Sequence, residues 1–165
     1  MLSVILAVAV SALMLGADQY TKYLISSKFV LGEGTEFIKG FIDIRYIHNT
    51  GGAWGILSGN TWLLLSVSVI VMLILITLFL KLGANSRLML WGVSLVISGG
   101  LGNLIDRVFR DGNVVDFLHF EFFPTFPIFN VADICVVVGA GLLILYFIID
   151  TARDYKKAKC KNEQD

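Results

Sequence analysis

Two aspartates, Asp116 and Asp133, stand where a carboxylate is expensive. Asp116 lies in the apolar run Val114, Val115, Phe117, Leu118, and Asp133 follows Ile128 and Phe129 and opens a stretch, Ile134 to Ile149, without a single charge. The sequence places both at or near membrane depth. An ionisable group there costs from about 2.5 kcal/mol upward, which makes function the default reading. If the two carboxylates share one site, they do not both ionise easily, and one pKa rises. Such a pair holds a base and an acid together at neutral pH. The ionised member takes a proton from water while the protonated member polarises a carbonyl oxygen, which suffices to hydrolyse a peptide bond. Taken singly, an aspartate at a helix end is more often a cap or an ion-pair partner. Asn130 is the more natural cap here, and Arg107 is the obvious ion-pair partner for Asp116, so the reading rests on the pair.

Composition fixes the setting. The chain has 165 residues, within the range of one domain, of which 56% are hydrophobic and only 16% charged. A soluble chain carries about 25% charged residues. With a mean hydropathy of +0.79, the sequence describes an integral membrane protein. The formal net charge is zero, which gives no field for nucleic acid. Cys135 falls in an apolar segment and Cys160 in the charged tail, so no disulfide is expected. His48 and His119 are the only histidines, and no Cys or His pair has ligand spacing, so neither metal nor cofactor is expected. His119, three residues after Asp116, reads as an interfacial histidine rather than a proton carrier.

Four apolar stretches position the pair, and the expected fold is an all-α membrane domain spanning residues 1–165. Its helices are expected at about 2–25, 60–80, 88–106 and 130–150, each close to the roughly 20 residues that cross a bilayer. The first has small-residue sites resembling a signal cleavage site but lacks a charged leading region, so it reads as a retained span. Asp18 and Lys22 lie four apart on one face of it, as an interfacial ion pair or as support for a nearby site. Between the first and second helices, about 28–58, FIDIRYI alternates with period two, which with EGTEFIKG predicts a small antiparallel sheet outside the membrane. The loop Asn49 to Gly55, NTGGAWG, follows. The third span ends in Ser98, Gly99, Gly100, Gly102 and Asn103, small residues that admit a close neighbour, and then in Asp106 and Arg107. EFFPTFP, between helices three and four, reads as an interfacial aromatic segment. The tail, 151–165, reads as frayed and polar. Lys81 and Arg87 share a side with the basic tail, so both termini are expected in the cytoplasm and the aspartates outside.

DQYTK at Asp18 to Lys22, NTGGAWG, GGLGNLIDR at Gly99 to Arg107, VVDF at Val114 to Phe117 and FNVAD at Phe129 to Asp133 occur in one order along the chain. Together they resemble the lipoprotein signal peptidases, or signal peptidase II. The resemblance implies an aspartic endopeptidase of the bacterial cytoplasmic membrane that cuts prolipoproteins before a diacylglyceryl-modified cysteine, with its active site near the outer leaflet. It implies Asp116 and Asp133 as the catalytic dyad, Asn49, Asn103, Arg107 and Asn130 as substrate-binding or dyad-positioning groups, and Asp18, Lys22 and Asp106 as supporting positions. Its partners would be lipid-modified prolipoproteins and membrane lipid, with neither nucleic acid, metal nor a second copy required. Trp54 and Gly52 depart from the family's commoner phenylalanine and alanine. The rival readings are a small transporter or proton conductor, which would want acids along a path across the bilayer, and a non-catalytic assembly factor.

Overall fold

The computed structural model describes residues 2–52, 54, 56–82 and 86–162. Ala53 and Gly55 of the NTGGAWG loop, Gly83 to Asn85 of the KLGANSR connection and the last three residues of the tail lie outside the described residues. In chain order the elements are α1 (Leu2–Lys28), β1 (Gly34–Ile38), β2 (Ile42–Asn49), α2 (Thr61–Leu82), α3 (Arg87–Phe109), β3 (Val114–Phe120) and α4 (Val131–Asn162). Helices α1, α3 and α4 are long and apolar enough to cross a membrane, and the apolar stretch Thr61–Thr77 of α2 is shorter. Large apolar side chains such as Ile5, Leu13, Ile70, Leu73, Val137 and Ile144 are exposed on the helices. Such broad apolar surface suits lipid rather than water.

Small residues let α3 and α4 lie close together. A Cβ on Gly99 would collide with the Ala132 carbonyl, and one on Gly139 would come within 2.7 Å of the Gly92 carbonyl. Helix α1 crosses the same α3 through hydroxyls: Ser98 Oγ donates to Ser11 O at 2.8 Å, and Ser11 Oγ lies 3.1 Å from Ser94 O. In a bilayer, where apolar burial gives no drive between helices, close packing and hydrogen bonds of this kind do the holding.

The sheet corrects the sequence reading. It has three antiparallel strands in the order β1-β2-β3, and the third comes from the connection between α3 and α4. VVDFLHF, which holds Asp116, is therefore a third strand beyond the two expected between the first and second helices. Its pattern concealed this, because Phe117 and Leu118 both donate to Phe129 O and the alternation of faces breaks there. A second irregularity falls between Ile44 and Ile47 of β2, opposite it. The turn that delivers the chain from α3 into β3 uses left-handed backbone at Asp111 (φ 53) and Gly112 (φ 87). Gly112 is required twice over, since a Cβ there would strike Thr61.

Tyr46, Val115 and Phe117 on the inner face of the sheet bury against Ile25, with Phe29, Ile44, Leu118 and Val131 around them. Each such side chain contributes about 1.5–3 kcal/mol when buried, and together they seat the sheet on the end of α1 and the start of α4. The tail also departs from expectation. α4 continues through TARDYKKAKCKN to Asn162, since that segment has no glycine or proline and consists mostly of helix formers.

Candidate active site

The bundle and the sheet meet over α4's first turn. Asn130 precedes Val131, and its Oδ1 accepts the Asp133 N–H at 2.9 Å while Asp133 Oδ2 accepts the Asn130 N–H at 3.1 Å. This reciprocal pair is a capping box, with Asp133 supplying the acid at the third helical position. It fixes the Asp133 carboxyl against the helix N-terminus, where negative charge is favoured. The Asp133 Oδ1 accepts Asn103 Nδ2 of α3 at 2.8 Å.

Asp116 arrives from β3. It sits opposite Ile47 in the β2–β3 ladder, so Asn49, two residues further along β2, reaches it diagonally. Asn49 Nδ2 donates to Asp116 Oδ2 at 2.9 Å, and Asn130 Nδ2 donates to Asp116 Oδ1 at 2.6 Å. Asn130 is wholly buried, and this one residue binds both carboxyls, Asp116 with its side chain and Asp133 with its backbone. Asp116 is 1% exposed. Burial first, and then the charge of Asp133, push its carboxyl up to about 7, against the hydrogen bonds from Asn49 and Asn130. At neutral pH a carboxyl so placed can hold a proton or release it.

Arg107 does not neutralise Asp116: among the described residues no ion pair joins them. Instead its Nη2 donates to Gly51 O at 2.9 Å and its Nη1 lies 3.4 Å from Asn103 O. The guanidinium thus ties the NTGGAWG loop to α3. Its Nε and the Nδ1 of His119 are buried without a hydrogen-bond partner. His119 is nearly buried, across the ladder from Asp43, with Nδ1 3.7 Å from Asp43 Oδ2. With Asn49, Arg45, Trp54 and Phe126, His119 also lines a cavity of about 510 Å³ beside the sheet. Among the described residues no group of three or more His, Cys, Asp or Glu side chains is placed to hold a metal ion.

The nine residues that the sequence singled out are thus joined by hydrogen bonds or ion pairs into one polar region. A family profile described as "Signal peptidase (SPase) II" matches residues 10–149. The chain belongs to the signal peptidase II family. It is 44% identical to the lipoprotein signal peptidase of Enterococcus faecalis, over 86% of each chain. To that of Clostridium acetobutylicum it is 42% identical, over 92% of this chain and 98% of the relative. A solved structure described as a bacterial membrane enzyme superposes with a TM-score of 0.82 at 35% identity, covering 89% of this chain and 90% of that one.

In this signal peptidase II chain, Asp18, Lys22 and Asp106 are buried within the protein. Lys22 Nζ lies 3.0 Å from Asp18 Oδ2 and 3.1 Å from Asp106 Oδ2. Gly102 leaves the room, for a Cβ there would press on the Asp18 carboxylate. Sequence reasoning missed Gln19, whose Nε2 reaches Asp18 Oδ2 at 3.1 Å, Gly102 O at 3.1 Å and Asp106 Oδ1 at 3.2 Å. The signal was present, since Gln19 and Lys22 are three apart on one helix face. Arg110, 3.4 Å from Asp106 Oδ1, was missed as well. It caps the C-terminus of α3, four residues after Asp106 and past the run Asn103, Asp106 and Arg107 that stands out in the sequence.

Proposed function

We propose that Asp116 and Asp133 are the catalytic dyad of an aspartic endopeptidase that removes signal peptides from lipoprotein precursors, cutting just before the lipid-modified cysteine. The observation that carries this reading is the buried Asn130, whose side-chain amide donates to the Asp116 carboxyl while its backbone N–H donates to that of Asp133. Family membership supports the substrate class and leaves the transporter and assembly-factor readings without support.

In the reaction, one carboxylate takes a proton from a water molecule as its oxygen attacks the scissile carbonyl carbon. The other, protonated, carboxyl gives its proton to the carbonyl oxygen. The resulting gem-diol collapses, the first carboxyl returns its proton to the departing amine nitrogen, and the second recovers one from the diol. Asn49, Asn103 and Asn130 hold the two carboxyls at fixed orientation through this exchange. Arg107 keeps the Gly51 carbonyl, in the loop that follows Asn49, against α3 beside the dyad.

All four helices cross the membrane in this reading, with both termini cytoplasmic and the sheet and dyad at the outer leaflet. A diacylglyceryl cysteine keeps its acyl chains in lipid at about 0.8 kcal/mol per buried CH₂, so the bond beside it is held at that depth. Phe122 and Phe123, exposed near the Phe120–Phe126–Phe129 ring cluster, form an aromatic edge suited to headgroup level. One chain supplies every proposed site residue, so a second copy is not required.

The test is incubation of purified protein with a lipid-modified precursor, comparing wild type, Asp116→Asn and Asp133→Asn for release of the signal peptide. Loss in both variants with the fold intact is the expected result. Cleavage that survives both substitutions removes the dyad.

A further inference from the structure

Lys22 is 0% exposed on α1, yet the hydrolytic scheme gives it no task. Its ammonium has three protons and three acceptors: Asp18 Oδ2 at 3.0 Å, Asp106 Oδ2 at 3.1 Å and Asn103 Oδ1 at 3.0 Å. Each acceptor leads to a proposed catalytic group. Asp106 Oδ2 also accepts the Val115 N–H at 3.0 Å, the residue immediately before Asp116. Asp18 Oδ1 accepts the Ala132 N–H at 2.9 Å, the residue immediately before Asp133. The third acceptor is a side-chain amide with two distinguishable ends. Lys22 and Asn130 Nδ2 both donate to Asn103 Oδ1, the second at 3.1 Å, and this forces Asn103 Nδ2 to face Asp133. With the amide reversed, an oxygen would oppose the Asp133 carboxylate and an NH₂ would oppose an ammonium.

We propose that Lys22 is a positioning residue of the peptidase: through Asp106, Asp18 and Asn103 it sets the backbone positions of Asp116 and Asp133 and the direction of the Asn103 amide between them. The inference rests on the dyad reading and deepens it. Lys22 does not touch substrate. Among the described residues it is the one cation from which hydrogen-bonded paths of one carboxylate each reach the backbone beside both aspartates.

Removing Lys22 alone would leave the buried Asp18 carboxylate without a counter-charge and Asp106 with only Arg110, which breaks folds. The test therefore uses Lys22→Met paired with Asp18→Asn, which leaves net charge unchanged, and the new amide can still accept from the Ala132 N–H. The readouts are kcat, KM, the pH profile of kcat and the thermal midpoint, with the lipid-modified precursor as substrate. The charged groups around Lys22 are Asp18 on its own helix, Asp106 on α3 with Arg110 at that helix's C-cap, and Arg107 of α3, whose charge acts on Asp106 and on both aspartates of the dyad. Beyond Asn103 stand Asp116 on β3 and Asp133 on α4. Of the two charges removed, Lys22 is the one that acts on Asp116, holding its carboxyl down, whereas Asp18 acts on Asp133; the limb of the kcat profile set by Asp116 therefore moves to higher pH.

A positioning role predicts kcat down about 100-fold, the scale of a small misplacement of reacting groups, with KM within a few-fold of wild type and the profile displaced upward. The structural control is Met89→Ala, a core truncation 2% exposed in α3 and 14 residues, roughly 20 Å, from Asn103 along the helix. It lowers the thermal midpoint and leaves kcat per folded molecule and the pH profile alone. If the Lys22 pair behaves like Met89→Ala, the proposal is overturned. Should that pair fail to fold, Lys22→Gln with Asp106→Asn neutralises the other arm of the cluster and is read in the same way. Failure of both pairs to fold assigns the cluster to stability alone and also overturns the proposal. Asp116→Asn and Asp133→Asn run alongside. Their retention of activity would sink the dyad reading itself, whereas wild-type kinetics in the Lys22 pairs with dead dyad variants would sink only the role of Lys22.

Discussion

Two pairs of buried aspartates share one polar region of this protein, and each pair is joined by one shared residue. Asp18 and Asp106 are bridged by Lys22, an ammonium. Asp116 and Asp133 are bridged by Asn130, a neutral amide with its own backbone N–H. The first pair has a full positive charge between its carboxylates, and its oxygens are taken up by Gln19, Arg110 and two backbone N–H groups. The second pair receives only dipoles, so burial and mutual repulsion act on it unopposed by a bonded cation, and Asp116 is pushed up to about 7. A charged bridge makes two buried acids a brace, and a neutral bridge leaves them with a proton to trade.

The largest effect that would break this comparison is expected at the second pair. Asp133→Asn lowers the rate of precursor cleavage by about 10³-fold or more, the scale seen when one member of a concerted catalytic unit is removed, while circular dichroism stays that of the wild type. Next is the bridge itself. Asn130→Ala removes the side-chain donor to Asp116 and the cap acceptor for Asp133, and it lowers kcat by about 10²-fold besides costing about 1 kcal/mol from the lost cap. Preservation of kcat in a folded Asn130→Ala enzyme would leave the shared amide without a catalytic part.

Gly102→Ala sharpens the contrast from the other side. The added methyl presses on Asp18, so it disturbs the brace first and costs about 1–3 kcal/mol of stability as overpacking, read as a lower thermal midpoint. The mildest probe is pH. A carboxyl raised to about 7 keeps its proton below that value and loses it above. The singly protonated dyad therefore declines through pH 7, and kcat falls about tenfold for each further unit. Asp133→Asn withdraws one of the two causes of the rise, so the Asp116 carboxyl moves back toward the ordinary range. Titration of that variant, followed by carbonyl NMR of Asp116, checks the direction.

How far the sequence could be read follows the same division. Apolar runs announced the long helices because a span is a local property of about 20 consecutive residues. Acids and amides in apolar company announced the polar region because such groups are costly wherever they sit. Contacts that depend on distant pairing were hidden. The third strand could not be seen from VVDFLHF, since its alternation breaks at Phe117 and Leu118 and its partner lies on the far side of two helices. Asp18 looked like half of a surface ion pair because the Ala132 N–H it accepts lies 114 residues away. Arg107 looked like a partner for Asp116, but the loop carbonyl of Gly51 takes it instead. The helical tail departs from expectation for a different reason: TARDYKKAKCKN is polar, but it holds no glycine or proline, and polar helix formers continue a helix as readily as apolar ones.

The late arrival of β3 has a consequence for biogenesis. A ribosome that has delivered α1, the first two strands and α3 has made Asn49, Asn103 and Lys22 but neither aspartate of the dyad nor Asn130, which come only with residues 114 to 133. With the dyad as proposed, the nascent chain would cross most of its insertion pathway without hydrolytic capacity. Competence would then come in a single late event, when the start of the last helix closes against the first, and a fragment that stops short of Asp133 would be inert.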